Sequence, residues 1–238
     1  KGYRPETVVF DVPTEFSTTC ASGGDCYNPE NYDHVFRGPM SLKNALAQSV
    51  NIPAVKVLYL AGIKDSLNLA KKMGISTLTN VDQYGLTLVL GGGEVRPLDM
   101  AAAYGVFAND GMKAKTQGIL KVEDRKGKVL EEFKEEKERV MPEQTARLIS
   151  DVLSDNAART PAFGSSSYLN ISGVAVKTGT TNDYRDAWIV GYTPEVSLAA
   201  WAGNNDNSSM EKKVAGFIVA PMWNEFMQFL ISKKPATA

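Results

Sequence analysis

Three short segments near the C-terminal end of the chain most constrain its fold. Val174 and Val176 alternate with small residues, which is the period-2 pattern of a half-buried strand. A second apolar segment, residues 187–190, follows a polar turn, and a third, residues 196–202, follows Thr193-Pro194-Glu195. Because strands joined by tight turns pair with their neighbours, the sequence predicts an antiparallel meander.

Helical patterns occupy the middle of the chain. Ser41 is suited to cap a helix in which Leu42, Ala45, Leu46 and Ser49 recur at helical spacing. Pro53 suits the first turn of the next helix, so Ser49 and Asn51 are predicted to lie at a junction between two helical pieces. Further helices are predicted over residues 65–73, 98–108 and 142–155 and from Pro221 onward.

The order of these patterns predicts the fold class. Helices gather in the middle and strands towards the end, which indicates an α+β fold with an antiparallel sheet flanked by helices and a helical subdomain. We expect residues 1–238 to form a single domain. Its predicted parts are a loop and strand entry (1–40), a mostly helical part (41–160) with a polar hairpin at 118–133, and antiparallel strands with a C-terminal helix (161–238). The apolar stripe of that helix is expected to pack in the core; it comprises Met222, Trp223, Phe226, Met227 and Leu230.

The composition excludes several kinds of function. With 26 basic and 27 acidic residues the net charge is -1, which argues against a nucleic-acid partner. No apolar run approaches the roughly 20 residues of a membrane span. The single histidine, His34, makes a Ser-His-Asp triad or a zinc site improbable, and we expect no cofactor. Proton transfer near neutral pH therefore falls to lysines, carboxylates or hydroxyls.

Cys20 and Cys26 are separated by a flexible Ala-Ser-Gly-Gly-Asp segment. A disulfide between them would stabilise the protein by about 2 kcal/mol. It would also indicate an oxidising, extracytoplasmic setting. Two free thiols are the alternative.

The segment Lys177–Thr181 has the highest concentration of polar functional groups in the predicted sheet. It places a cation, three hydroxyls and one residue without a side chain on a strand edge, which suits an extended substrate with a carboxylate. Without a partner motif, the alternative interpretation is that Lys177 is a solvated surface lysine and that the threonines only favour β structure. Ser49 and Asn51 form a second polar pair, although Ser49 could simply end a helix and Asn51 could belong to a turn.

The two segments together match the Ser-x-Asn and Lys-Thr-Gly elements of serine penicillin-recognising enzymes. The surrounding sequence agrees in order: NYD at 31–33, RGPMSLKNALAQSVNIPAV at 37–55, LVLGGGEVRPLDMAAAYGVFANDG at 88–111 and KTGTTNDYRDAWIVGYTP at 177–194. The chain therefore resembles the transpeptidase domain of a class A (bifunctional) penicillin-binding protein, over nearly its whole length.

The resemblance implies acyl transfer through a serine ester, with peptidoglycan stem peptides ending in D-alanyl-D-alanine as donors and β-lactams as their analogues. It assigns catalytic roles to Ser49, Asn51 and Lys177. Ser49 would relay a proton to the leaving D-alanine beside the Lys177 ammonium, and Asn51 would bind the substrate backbone. The resemblance also implies the extracytoplasmic face of a bacterial membrane, with attachment only through an N-terminal anchor outside this chain.

The same resemblance assigns substrate binding to Thr178, Gly179, Thr180 and Thr181. The Thr178 and Thr180 hydroxyls, with Lys177, would bind the terminal carboxylate. Gly179 would let the substrate lie against the strand. The Thr180 N–H would supply one donor of an oxyanion hole.

One element of the family is missing from its expected place. The family's nucleophile is the serine of a Ser-x-x-Lys that precedes the Asn-Tyr-Asp and Ser-x-Asn segments, and we expect no such tetrapeptide within these 238 residues. Ser41-Leu42-Lys43 has the wrong spacing. We therefore expect the nucleophile to lie upstream of Lys1, in a polypeptide segment that completes the domain, and this chain alone to be inactive. The alternatives are a non-catalytic module that binds peptidoglycan or a partner protein and, more weakly, a secreted β-lactamase.

Overall fold

The structure is a computed structural model that describes residues 2–17, 26–210 and 215–233. Cys20 lies outside these ranges, so its bridge to Cys26 stays a prediction. Within the described ranges, every helix is too short or too polar to cross a membrane.

The described residues form strands, helices and short 3₁₀ turns. The strands are β1 (Val8–Asp11), β2 (Gly38–Ser41), β3 (Met112–Ala114), β4 (Lys121–Glu123), β5 (Val129–Glu132), β6 (Lys137–Arg139), β7 (Ala175–Thr180), β8 (Asp186–Tyr192) and β9 (Ser197–Gly203). The helices are α1 (Leu42–Ala47), α2 (Asn51–Ala61), α3 (Ile63–Met73), α4 (Pro97–Ala108), α5 (Glu143–Ser154), α6 (Asn156–Phe163), α7 (Ala215–Ile218) and α8 (Ala220–Lys233). Short 3₁₀ turns cover Val81–Gln83, Leu86–Leu90 and Asn182–Tyr184.

The predicted meander is confirmed as a three-stranded antiparallel sheet in the order β7-β8-β9. Its register pairs Lys177 with Val190 and Gly179 with Trp188. Two-stranded antiparallel ribbons form from β1 and β2, from β3 and β6, and from β4 and β5, the last being the predicted polar hairpin. Together with the helices, these sheets confirm the α+β class.

The sheet lies between two helical layers. On one face Val176 and Ile189 pack with Trp223 and Met227 of α8. On the other face Ala175 and Tyr192 pack with residues of α1, α4 and α5; these are Leu46, Tyr104, Phe107, Ile149 and Leu153. Because side chains alternate along a strand, Lys177 shares the face of Ala175, which is the face towards α1.

Two helices differ from the sequence-based expectations. α1 ends at Ala47, so Ser49 lies beyond the helix and not on its apolar face. α6 was not predicted; Asp155 begins it by accepting a hydrogen bond from the Ala158 N–H at 2.9 Å.

The apolar stripe of α8 is only half buried. Trp223 and Met227 are 1% and 0% exposed, whereas Met222 and Phe226 are 58% and 48% exposed. The expectation that the whole stripe packs in the core is therefore wrong. The sheet offers three strands to α8, and Met222 and Phe226 extend over the outer side of β9, where they line a groove with Trp201.

Replacing Gly191 by alanine is expected to destabilise the fold by about 1–3 kcal/mol because it overpacks the sheet against α8. A Cβ at Gly191 would lie 2.4 Å from Trp223 Cζ2 and 2.9 Å from the Ala175 carbonyl oxygen. Gly105 of α4 is a matched control, since a Cβ there meets nothing within 4 Å. Gly105→Ala should stabilise the helix by about 0.5–1 kcal/mol. Urea unfolding of the two variants measures both changes, and equal stabilities would contradict the packing argument.

Candidate active site

Ser49 holds an unusual backbone conformation just after α1. Its φ is 59°, in the left-handed region that residues with a side chain rarely adopt. Its N–H donates to the Leu46 carbonyl at 3.2 Å, and the Val50 N–H donates to the Ala45 carbonyl at 3.0 Å. These two bonds form a Schellman motif, in which glycine normally occupies the left-handed position. A serine there carries backbone strain of about 1–2 kcal/mol and places a hydroxyl at the helix end.

The Ser49 hydroxyl faces the ammonium group of Lys177. Lys177 Nζ donates to Ser49 Oγ at 2.6 Å and to the Thr178 carbonyl oxygen at 2.8 Å. Ser49 and Lys177 are 128 residues apart in the sequence. The contact therefore brings the Ser-x-Asn and Lys-Thr-Gly segments together where the α1–α2 junction meets β7.

Asn51 is the first residue of α2, and both of its nitrogen atoms are held by the segment before β2. Its N–H donates to Asn31 Oδ1 at 3.1 Å, and the Ile52 N–H donates to the same oxygen at 3.3 Å. Asn51 Nδ2 donates to the Glu30 carbonyl at 2.8 Å. Among the described residues, no donor reaches Asn51 Oδ1. That oxygen is therefore available to a ligand.

Asn31 caps α2 from outside the helix, a role that its sequence position did not predict. Val50 precedes α2 and makes no side-chain capping bond. A valine at this position could have indicated such a residue. A helix that begins without a capping side chain needs another acceptor for its first N–H groups.

The outer edge of β7 is free in the described sheet, since β7 pairs with β8 alone. The Thr181 N–H donates to the Asp186 carbonyl at 3.1 Å. Because backbone groups point alternately to the two sides of a strand, the N–H groups of Thr178 and Thr180 point away from β8. The bond from Lys177 Nζ to the Thr178 carbonyl fits this direction. An extended peptide could pair with such an edge.

The threonine hydroxyls differ in what they are free to bind. Thr181 Oγ1 donates to Asp186 Oδ2 and accepts from the Asp186 N–H, both at 2.9 Å. Thr180 Oγ1 accepts from the Ala215 N–H at 3.0 Å, which leaves its own hydrogen for another acceptor. Within the described ranges, the Thr178 hydroxyl has no protein partner. Thr178 and Thr180 can therefore donate to a ligand, whereas Thr181 is bonded within the turn.

Two further contacts hold the end of β7. Gly91 has a φ of 101°, and a Cβ there would lie 2.7 Å from Thr181 Cγ2, so only glycine fits against the strand. The Tyr184 hydroxyl donates to the Tyr32 hydroxyl at 3.3 Å, and the two rings meet edge to face at 6.2 Å. Tyr32 follows Asn31 directly, so the same loop contacts both α2 and the turn after β7.

The surroundings of Lys177 lower its pKa but leave the ammonium form predominant at pH 7. Burial and, to a smaller extent, the positive charge of Arg159 lower the pKa of Lys177 to about 8. Arg159 is itself 4% exposed; one guanidinium nitrogen donates to the Val176 carbonyl at 3.3 Å, and its Nε has no partner. Two cations lying close together form an environment that attracts an anionic ligand.

The expectation that no Ser-x-x-Lys occurs in these 238 residues is wrong, because the tetrapeptide Ser209-Met210-Glu211-Lys212 has this spacing. It follows Lys177 instead of preceding Ser49, so it does not occupy the family's position for the nucleophile. Glu211 and Lys212 lie outside the described residues. Ser209 is exposed in the segment after β9, where the Met210 N–H donates to the Tyr184 carbonyl at 2.9 Å.

Comparison with known sequences identifies the family. The profile described as "Penicillin binding protein transpeptidase domain" matches residues 4–228. Penicillin-binding protein 1A of Aquifex aeolicus (strain VF5) is 39% identical over 215 residues, which is 90% of this chain and 29% of that protein. Penicillin-binding protein 1A of Clostridium acetobutylicum is 35% identical over 230 residues, which is 94% of this chain and 28% of that protein. The chain thus spans less than a third of the length of these relatives.

Solved structures show the same fold. The crystal structure of penicillin-binding protein 1A from Haemophilus influenzae matches all of this chain and 41% of its own, with a TM-score of 0.83 at 24% identity. The PonA1 protein from Mycobacterium tuberculosis, solved in complex with penicillin V, matches 99% of this chain and 65% of its own, with a TM-score of 0.82 at 22% identity.

These matches and the Ser49–Lys177 pairing define the class as a transpeptidase-type domain of penicillin-recognising proteins. The chain belongs to the penicillin-binding protein transpeptidase family, and the curated relatives just described are class A proteins of the 1A type, as the resemblance implied.

Replacing Ser49 by glycine is expected to raise the free energy of unfolding by about 1 kcal/mol, because glycine adopts a positive φ without strain. Ser49→Ala retains the strain and loses the hydroxyl, so it should be no more stable than the wild type. Denaturant unfolding of the 238-residue chain measures both. A Ser49→Gly chain that is less stable than the wild type would show that the bond from Lys177 outweighs the strain.

Replacing Lys177 by methionine is expected to raise the melting temperature at pH 7, because it removes a cation whose pKa folding lowers to about 8. Between that value and 10.5 the unfolded chain binds more protons than the folded chain, so wild-type stability rises with pH in this window. The gain from Lys177→Met should therefore be largest below pH 8 and fade towards pH 10.5. Melting curves at pH 7 and pH 10 measure it, with Lys64→Met at an exposed lysine as control. A gain that is the same at both pH values would contradict the argument.

Proposed function

We propose that this chain forms the substrate-binding part of a D-alanyl-D-alanine transpeptidase, which cross-links peptidoglycan by serine acyl transfer. The observation that carries the proposal is the 2.6 Å bond from Lys177 Nζ to Ser49 Oγ, because it joins the two motifs in one cleft. Family membership over residues 4–228 supports the reaction class. The nucleophilic serine comes from the parent protein, upstream of Lys1.

In the acylation step the serine oxygen attacks the carbonyl carbon between two D-alanines, and the C–N bond between them breaks. The serine proton ends on the amine of the departing D-alanine. Ser49 relays this proton, since the Lys177 ammonium bonded to its oxygen stabilises negative charge that develops there. The amine of a second stem peptide then attacks the ester, which forms the cross-link and releases the serine. The proposal requires no metal or cofactor.

The substrate lies along the free edge of β7. The Lys177 ammonium and the hydroxyls of Thr178 and Thr180 bind the terminal carboxylate through charge-assisted hydrogen bonds. With a pKa of about 8, Lys177 is mostly charged at neutral pH. Gly179 leaves room for the substrate backbone, and Asn51 Oδ1 accepts a substrate N–H.

The outward N–H of Thr180 supplies one donor of the oxyanion hole, and the N–H of the nucleophile supplies the other. For Thr181, which is expected to bind substrate, we propose a supporting role as well. Its hydroxyl is bonded to Asp186, so it holds the turn at the end of the substrate-binding strand.

β-Lactams are proposed as acylating analogues of the same donor; the structurally similar PonA1 protein was solved with penicillin V. The reaction takes place on the extracytoplasmic face of the cell membrane, where peptidoglycan is assembled. Membrane attachment is through an anchor in the parent protein, and residues 1–238 act as one domain completed by the upstream segment.

A second candidate function is a non-catalytic module that binds peptidoglycan or a partner protein. It is favoured by the lack of a Ser-x-x-Lys ahead of Asn31 in this chain. The sequence upstream of Lys1 in the parent gene discriminates the two, because only the enzyme requires the tetrapeptide there.

The full-length parent protein is expected to form a covalent adduct with a fluorescent penicillin at a serine upstream of Lys1, and the 238-residue chain alone is not. Lys177→Ala in the parent should lower the second-order acylation rate constant about 100-fold or more, because both charge and proton relay are lost. Lys64→Ala is the matched control and should leave the rate unchanged.

Peptide mapping by mass spectrometry locates the adduct. An adduct on a serine within the 238 residues, Ser209 included, would overturn the assignment of the nucleophile. A parent protein that forms no adduct would favour the binding module.

A further inference from the structure

Two buried polar side chains lie behind the start of α2. Asp11 ends β1 and is 0% exposed, and Asn31 is 4% exposed. Neither belongs to the Ser-x-Asn or Lys-Thr-Gly segments. Burying such groups is unfavourable unless their polar atoms are bonded, and a fully bonded buried network favours a single geometry.

Hydrogen bonds occupy most of the polar atoms of Asp11 and Asn31. Asn31 Nδ2 lies 2.8 and 2.9 Å from the two Asp11 carboxylate oxygens and also donates to the Val35 carbonyl at 2.8 Å. Asp11 Oδ2 accepts the Arg37 N–H at 2.9 Å, and the Arg37 guanidinium lies 3.7 Å away and offsets the charge. Asn31 therefore has one orientation, with its amide nitrogen towards Asp11 and its oxygen towards α2.

The amide oxygen of Asn31 reaches the site. It accepts the N–H groups of Asn51 and Ile52, while the neighbouring Glu30 carbonyl accepts Asn51 Nδ2. Three hydrogen bonds donated to residues 30 and 31, two by Asn51 and one by Ile52, thus set both the backbone and the side chain of Asn51. Ser49 lies two residues earlier in a strained conformation, so its backbone follows the position at which α2 begins.

We infer that Asn31, oriented by Asp11, is a positioning residue that holds Asn51 and Ser49 in the geometry the acyl transfer requires. The inference rests on the proposed function. Displacements of about 1 Å at a reacting group can cost on the order of 100-fold in rate. The pair therefore acts through Asn51 and Ser49 and touches neither substrate nor nucleophile.

The first test is amide hydrogen exchange in the full-length parent protein. Asn31→Ala should lower the protection of the Asn51 and Ile52 N–H groups about tenfold or more, because their common acceptor is lost. Asp99→Ala is the matched control: this carboxylate accepts the Ser76 N–H at 2.9 Å and the Ser76 hydroxyl at 2.6 Å, at the start of α4. It should leave the protection of Asn51 and Ile52 unchanged. Unchanged protection in Asn31→Ala would overturn the inference whether or not the protein is an enzyme.

The second test is the rate constant for acylation by penicillin, measured well below the melting temperature of each variant. Asn31→Ala is expected to lower it about tenfold or more, and Asp99→Ala to lower the melting temperature without lowering the rate. Equal rates for Asn31→Ala and the wild type would contradict a positioning role. A wild-type parent that is not acylated would instead contradict the proposed function, and hydrogen exchange would still decide the role of Asn31.

A charge swap separates positioning from general destabilisation. Asn31→Asp places two carboxylates against each other and should impair acylation most. The double variant Asn31→Asp/Asp11→Asn restores an amide–carboxylate pair, with the anion now at the N-terminus of α2, where the helix dipole favours it. Its acylation rate should recover to within a few-fold of the wild type. A double variant as slow as Asn31→Asp would contradict the inference.

Discussion

The bond from Lys177 to Ser49 is the interaction on which the rest of the site depends. It is made at the place where the α1–α2 junction meets the edge of the sheet, and each partner reaches it through a backbone constraint. Lys177 points towards α1 because side chains alternate along β7, with Val176 facing α8. Ser49 reaches the cleft because it takes the left-handed position of a Schellman motif, where a hydroxyl is rare. Backbone strain of this kind is typical of functional sites.

The two positive charges of the site, Lys177 and Arg159, lower the stability of the folded chain and favour the binding of an anionic ligand. Lys177, which is partly buried, lies near the buried Arg159, and desolvation lowers the pKa of both. A carboxylate placed at the free edge of β7 would compensate part of this unfavourable charge. Two neighbouring cations beside a free strand edge suit a surface that binds an anionic ligand. Functional sites commonly keep such groups although they reduce the stability of the unliganded protein. The close approach of Gly91 to Thr181 and the Tyr32–Tyr184 contact then hold the end of β7 and the turn that follows it in place.

Local patterns predicted much of this architecture. The alternation of Val174 and Val176, the tight turns and the capping residue Ser41 act over a few residues, and the meander and the start of α1 follow them. Side-chain bonding and the width of the sheet were harder to predict. Thr181 is expected to bind substrate, and the structure adds a bond from its hydroxyl to Asp186 across the turn. Met222 and Phe226 follow the helical period, but the sheet is too narrow to cover them.

The sequence by itself determined the family and the candidate residues, because Ser49, Asn51 and Lys177 lie in short motifs that follow one another in the order typical of that family. Only the tertiary structure decided which of them meet and what holds them. The Ser49–Lys177 bond spans 128 residues, and Asn31 reaches α2 from a loop 20 residues earlier. Such contacts depend on how the helical layer packs against the sheet, and no local pattern encodes that packing. The same reason explains why Asp11, a single carboxylate at the end of a strand, showed no significance until its buried partners were in view.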